Sequence, residues 1–198
     1  LAIQLDDRSL FLAPWWQLLR DTLPRAKGDP ALAELDRLTA QWDARALPQA
    51  VAYRLVRAFR LAVSGKILDG LAAPLRDDAH ADYRLPALGQ AEGIVWKLLQ
   101  ERPAHLLPAP YADWDALLLS AARKVVDELG SQPGGLAART WGERNTSAIR
   151  HPLSRAVPAL GWLLDTTPRA LPGDTAMPRV QGPNFGASER MAVSPGHE

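Results

Sequence analysis

Between Asp113 and Gly130 the apolar residues fall at Trp114, Leu117, Leu118, Ala121, Val125 and Leu129, the three-and-four spacing that lines one face of an α-helix. Asp113 supplies the oxygen an N-cap requires and Gly130 the stop. The same period recurs upstream. Leu32, Leu35, Leu38 and Trp42 form a stripe behind Asp29 as cap and Pro30 in the first turn. Val51, Leu55, Val56, Phe59 and Val63 form another, opened by Pro48 and closed by Gly65. A short helix is expected from Lys66 to about Ala73, and a further one from Pro86 to Gln100 carrying Leu88, Val95, Leu98 and Leu99, with Gly89 and Gly93 weakening it. The opening stretch Leu1 to Leu23 also reads as helical, with Pro14 kinking it or starting a second piece.

Composition agrees with five or six helices. Alanine (33) and leucine (32) dominate, while valine plus isoleucine amount to 13. Straight-chain and small side chains lose least on entering a helix, so a mostly β fold is excluded. A change of texture follows residue 130. Proline and glycine make up about 12 per cent of residues 1–130 and about 24 per cent of 131–198. The expected organisation is therefore a helical subdomain over 1–130, then a Pro/Gly-rich connector over 131–198. Periodicity in that connector is confined to Pro158 to Leu164, and alternation from Ser188 to Val193 predicts a β-strand that would need a sheet from elsewhere.

Charge and cysteine content exclude several chemistries. With 23 basic and 22 acidic residues, the chain lacks the positive field of a general nucleic-acid binder. Without cysteine it can form no disulfide, thiolate metal site or thiol nucleophile. No apolar run approaches the roughly 20 residues of a membrane helix, so no membrane partner is expected.

Local clusters of reactive residues are weak candidates. Ser147, His151 and Asp165 follow the order of a nucleophile, base and acid, but no strained Gly-x-Ser-x-Gly turn surrounds Ser147. His80, Asp82 and His105 lack helical metal-ligand register and are expected to be solvated loop residues. Arg54, Arg57 and Arg60, at steps of three, are expected to form a solvated helix face. Among the seven tryptophans (Trp15, Trp16, Trp42, Trp96, Trp114, Trp141 and Trp162), most fall on leucine-lined stripes, which favours core packing over a ligand pocket. Gly134-Gly135 lacks the spacing and lysine of a phosphate loop.

Four segments carry a family resemblance. Trp141-Gly142-Glu143-Arg144-Asn145-Thr146 is followed by Arg150-His151-Pro152-Leu153-Ser154, by Leu171-Pro172-Gly173-Asp174, and by Val180 to Met191 with Phe185-Gly186-Ala187-Ser188-Glu189-Arg190. Together with the opening Gln4-Leu5-Asp6-Asp7-Arg8, this order resembles the penicillin acylase (penicillin amidase) family of N-terminal-nucleophile hydrolases. The resemblance covers essentially the whole chain and implies a mainly helical piece of an α+β, αββα fold, interior to a β-subunit.

It also implies what the chain lacks. The family nucleophile is a serine freed at the start of the β-subunit, whose α-amine acts as its base, whereas residue 1 here is leucine. The family's oxyanion-stabilising asparagine, nearby arginine and calcium-binding carboxylates lie upstream of the Gln-x-Asp helix. No catalytic, cofactor-binding or metal residue is therefore assigned, and neither Asn145 nor Arg8 takes such a role. Arg190 is expected to serve as an ion-pair or hydrogen-bonding residue. The implied partners are the remainder of the β-subunit, the α-subunit and a small amide substrate, in a periplasmic or secreted setting. The alternative is a freestanding helical module that binds a partner helix or apolar ligand through a Trp-rich surface, without catalysis.

Overall fold

The computed structural model describes all residues except 1, 27, 77–79, 84–85, 87–88, 188, 192, 194–195 and 197–198. Five helices form the body: α1 (Ala13–Thr22), α2 (Pro30–Thr39), α3 (Val51–Ala72), α4 (Glu92–Glu101) and α5 (Trp114–Gly130). Helix α3 is their axis and packs against α1, α2, α4 and, most extensively, α5. Its Leu55, Val56, Phe59, Val63 and Ile67 are completely buried, as are Leu35 of α2 and Leu117 and Leu118 of α5. The resulting core is continuous across the body.

The caps follow from sequence. Asp29 accepts from the amides of Ala31 and Leu32, Pro30 opens α2, and Asp113 accepts from the Ala116 amide at the head of α5. Helix α4 ends at Arg102, which adopts a left-handed conformation (φ 48°) immediately before Pro103. A proline disfavours a right-handed helical conformation in the residue before it.

Three boundaries depart from expectation. Gly65 does not stop α3, which runs unbroken for 22 residues and absorbs the separate helix expected from Lys66. Gly65 faces open space, and its backbone cost of about 1 kcal/mol is outweighed by the burial of Val63 and Ile67 on either side. Helix α4 begins at Glu92 rather than Pro86; of the residues expected ahead of it, 87–88 lie outside the described set. The opening stretch is α-helical only from Ala13, where Pro14 sits in the first turn of α1. Before it, two 3-10 turns (Ile3–Leu5 and Leu10–Leu12) flank an extended piece that pairs with residues 44–46. There the Ser9 amide donates to the Ala44 carbonyl (2.6 Å) and the Ala46 amide to the Asp7 carbonyl (2.9 Å).

The tail has little regular structure: a 3-10 turn (Leu136–Ala138), α6 (Trp141–Arg144), α7 (Pro152–Ala156), a further 3-10 turn (Pro158–Leu160) and α8 (Gly161–Leu164). It ends in a two-stranded antiparallel hairpin, β1 (Gln181–Gly182) with β2 (Phe185–Gly186), turned by Pro183 and Asn184. The molecule is thus mainly helical with a small C-terminal sheet. The pairing lies upstream of the predicted strand. Ser188 and Ala192 are outside the described residues, and Glu189, Arg190, Met191 and Val193 are not in a ladder. Arg190 instead donates to the Gln4 carbonyl (2.5 Å), and the Gln4 side chain donates to the Met191 carbonyl (2.6 Å). Among the described residues no helix is long and apolar enough to cross a membrane.

Candidate functional site

The first half of α3 presents Tyr53, Arg54 and Arg57 to the tail, and the tail answers with Asp174. The Tyr53 hydroxyl donates to Asp174 Oδ2 (2.9 Å), and Arg57 Nε donates to the same oxygen (2.5 Å). The Thr175 amide donates to Oδ1 (2.7 Å). The carboxylate is nearly buried, so its charge is held by one guanidinium and three protein donors rather than by water. Burial raises the Tyr53 phenol far above its usual range, and the adjacent Asp174 charge adds to this. The guanidinium of Arg57 also stacks over the Trp141 ring, 5.2 Å from its centroid.

Gly173 places Asp174 there. Its φ is +84°, and a Cβ would lie 2.2 Å from the Arg179 carbonyl oxygen, so glycine is required twice over. Its amide donates to the Ala46 carbonyl (2.9 Å), and its own carbonyl accepts from Trp141 Nε1 (2.9 Å) and Asn145 Nδ2 (3.1 Å). Asn145 also donates to the Leu171 carbonyl (2.9 Å), while the Leu171 amide donates to the Asn145 carbonyl (2.7 Å). Gly142 allows α6 to press on the loop before α3: its amide donates to the Pro48 carbonyl (2.7 Å), and a Cβ would come within 2.9 Å of that oxygen.

The arginine ladder of α3 is therefore not a solvated face. Arg54 is buried and pairs with Glu143, which also takes Arg139 (2.8 Å); Arg57 pairs with Asp174; Arg60 pairs with Glu92 (2.7 Å). Their acids stand 89, 117 and 32 residues away in the chain. No local spacing could announce them.

The opening motif joins the same end of the molecule. Asp7 is buried and accepts from Arg45 Nε (2.7 Å), with Arg179 3.9 Å away. Asp6 pairs with Arg8 (2.6 Å), and its carbonyl accepts from the Arg179 amide (3.0 Å).

The other candidates resolve into structural roles. Ser147, His151 and Asp165 do not assemble as nucleophile, base and acid. Ser147 Oγ accepts from the Arg169 amide (2.8 Å), His151 Nδ1 caps α7 by accepting from the Leu153 amide (3.1 Å), and Asp165 accepts from the His151 amide (2.9 Å) and the Ser154 hydroxyl. That hydroxyl, followed by the His151 amide, holds the Asp165 carboxyl below its usual range. His80, Asp82 and His105 are exposed. Among the described residues no three His, Asp or Glu side chains gather as a metal site, and Asp6, Asp7 and Asp174 each meet an arginine. These residues do not fit a calcium ion.

Of the tryptophans, Trp15, Trp114 and Trp141 are buried, Trp16, Trp42 and Trp96 pack on the core, and Trp162 is 84% exposed. Trp16, Trp42, Tyr53 and Trp141 form a row of ring contacts with centroids 6.2, 6.3 and 4.9 Å apart. That row leads from α1 to Asp174.

The penicillin amidase family model matches residues 1–198. The chain belongs to the penicillin amidase family. None of the curated proteins matches it. Membership places the chain in an amidohydrolase-type class. Within this penicillin amidase chain, the motif residues Trp141, Gly142, Asn145, Gly173 and Asp174 meet at the first half of α3 and the loop before it, with Asp6 and Asp7 joined to them through Arg179, whereas residues 150–154 lie apart and bond to Asp165. Of the described motif residues, Asp7, Trp141, Gly142, Asn145, Gly173, Asp174 and Gly182 are buried while residues 184–187 are exposed, and the bonds of Gly142, Gly173 and Asp174 to Pro48, Ala46, Tyr53 and Arg57 are what fix the tail to the body.

Proposed function

We propose that this chain is an interior part of the β-subunit of a penicillin-acylase-type N-terminal-nucleophile hydrolase, whose reactive serine is contributed by sequence outside residues 1–198. The parent enzyme cleaves the acyl amide of a β-lactam side chain or an N-acyl homoserine lactone. The serine oxygen attacks the amide carbonyl while the α-amine takes its proton, the amine product leaves with that proton, and water hydrolyses the acyl ester. Residues 1–130 form the helical subdomain of that subunit, and 131–198 connect it to the parent sheet and the α-subunit. The setting is periplasmic or secreted.

The observation that supports this reading is the convergence on Gly173 and Asp174, where motif residues bind the tail to α3, while Ser147 is engaged by the Arg169 amide and is not joined to a base. A chromogenic acyl-anilide tests it. The purified 198-residue chain is expected to give no turnover, and a polypeptide extended upstream to a self-cleaving serine is expected to give it. Turnover by residues 1–198 alone would overturn the proposal.

A further inference from the structure

Beyond Arg60, α3 carries one more cation, Lys66, and it is treated differently from the three arginines before it. Each of those meets a carboxylate, whereas the half-buried Lys66 ammonium donates to the neutral Tyr111 hydroxyl (2.7 Å) and has no carboxylate partner among the described residues. Its neighbouring cations are engaged: Arg76 with Asp69 and the Tyr83 carbonyl, Lys124 with Glu128 (3.5 Å). An ammonium has three donors, and among the described residues one of those of Lys66 meets a protein acceptor.

The space beside it is preformed. Pro108 lies against Gly70, where a Cβ would come within 2.4 Å of the proline side chain, and this close approach seats the 108–111 turn on α3. Between them is a cavity of about 600 Å3, lined by Leu61, Ala62 and Pro110 as well as Lys66, Tyr111 and Lys124. That is the size of a small-molecule site, with an apolar wall and a few convergent polar groups. The Tyr111 oxygen accepts from Lys66 and lies 3.5 Å from the Ser120 hydroxyl, which leaves the phenol proton available to a ligand. Burial pushes that phenol up, but the hydrogen bonds from Lys66 and Ser120 outweigh it and leave the phenol more acidic than usual. A more acidic phenol is a stronger donor.

We propose that this groove binds the carboxylate of a small organic acid, with the oxyanion held by Lys66 Nζ and the Tyr111 hydroxyl and the apolar body laid along Leu61, Ala62 and Pro110. The fold's own carboxylate on this cavity, Asp69, is paired with Arg76, so the ligand's carboxylate is the one that meets Lys66.

Benzoate and benzamide, alike in shape and different in charge, are the probes. The near-ultraviolet difference between the protein and its Tyr111→Phe variant isolates this one phenol. Benzoate is expected to raise its titration midpoint in a saturable way, because a bound anion disfavours phenolate, and benzamide is expected to leave it in place. Lys66→Met, checked for unchanged helical circular dichroism, should weaken benzoate by about tenfold or more. The proposal fails if benzoate leaves the midpoint unmoved, if benzamide acts equally, or if Lys66→Met binds as the parent does. Inorganic phosphate acting as strongly as benzoate would overturn the apolar half of the assignment. The benzoate and benzamide arms use the unaltered binding groups, so the test stands even if Lys66→Met fails to fold.

Discussion

Among the described residues of the body, 23 apolar residues are buried, Trp15, Leu19, Leu35, Leu55, Phe59, Val63, Ile67 and Leu117 among them, against five polar ones (Asp7, Ser9, Thr22, Thr39 and Arg54). Among the described residues of the tail, three apolar residues are buried (Leu136, Trp141 and Met177) against five polar ones (Arg139, Asn145, Ser147, Ser154 and Asp174). Burial of apolar area is non-directional, and many side chains of suitable size fill a core. A buried carboxylate or amide has specific donors and acceptors to satisfy, and few residues can replace it. The body is therefore held by a period and the tail by particular residues. Removing one residue of each kind should have different consequences.

Phe59→Ala should give the larger loss, about 3–5 kcal/mol, because Phe59 is completely buried on the axis helix against the edge of Trp15. Urea unfolding should show body and tail losing stability together, since the tail is anchored on α3. Asp174→Asn should cost about 3 kcal/mol, as the Arg57 guanidinium loses the carboxylate it pairs with. Here the effect should be local. Hydrogen exchange at the amides of Ser147, Leu171 and Gly173 should accelerate well before that of α5. Equal acceleration in both regions would break the distinction between them.

A smaller effect comes from Tyr53. Its phenol is raised in the folded protein, so the folded state keeps a proton that the unfolded chain gives up from about pH 10. The contribution is complete below that pH and is lost as pH rises toward the folded value, at up to about 1.4 kcal/mol per pH unit. Tyr53→Phe should start about 1 kcal/mol less stable, for want of the hydrogen bond to Asp174, but should lose this alkaline slope. Unfolding midpoints from neutral pH to about pH 11 measure both. A variant with the parent's slope would mean that the phenol ionises as freely in the fold as outside it.

The same contrast explains what could be read from sequence. The caps Asp29 and Asp113 and the stripes of α2, α3 and α5 were legible because a helix writes its buried face locally, at spacings of three and four. The run through Gly65 was not, because its flanking contacts come from other helices. In the tail, Trp141, Asn145, Gly173 and Asp174 stood out as family motif residues, while their partners Tyr53, Arg57 and Ala46 did not, lying roughly a hundred residues away. For that reason the spacing of Arg54, Arg57 and Arg60 reads as a solvated face, although each pairs with a distant carboxylate in the fold. Helices α6 and α7, at 4 and 5 residues, are too short to show a period at all.

The smallest expected effect lies at the exposed end of the tail's attachment. Asp6 accepts from the Arg8 side chain at 2.6 to 3.0 Å and from the Arg8 amide at 3.0 Å, and these bonds, the side-chain ones first, draw its carboxyl down to about 2. Because the folded value lies below that of an unfolded aspartate, near 3.9, the contribution is present above about pH 4 and lost as the pH falls through about 2. Asp6 is open to solvent, so added salt should shrink the effect further. Asp6→Asn should therefore flatten the acid limb of stability slightly, and the hydrogen bond from the Arg179 amide to the Asp6 carbonyl should survive the substitution, since it uses only backbone atoms. Urea midpoints of the two proteins between about pH 5 and pH 2 measure the difference. If Asp6→Asn instead released residues 178–191, shown by their faster hydrogen exchange, the side-chain pair and not the backbone contact would be what fastens the hairpin, and polar anchoring of the tail would extend to its solvent edge.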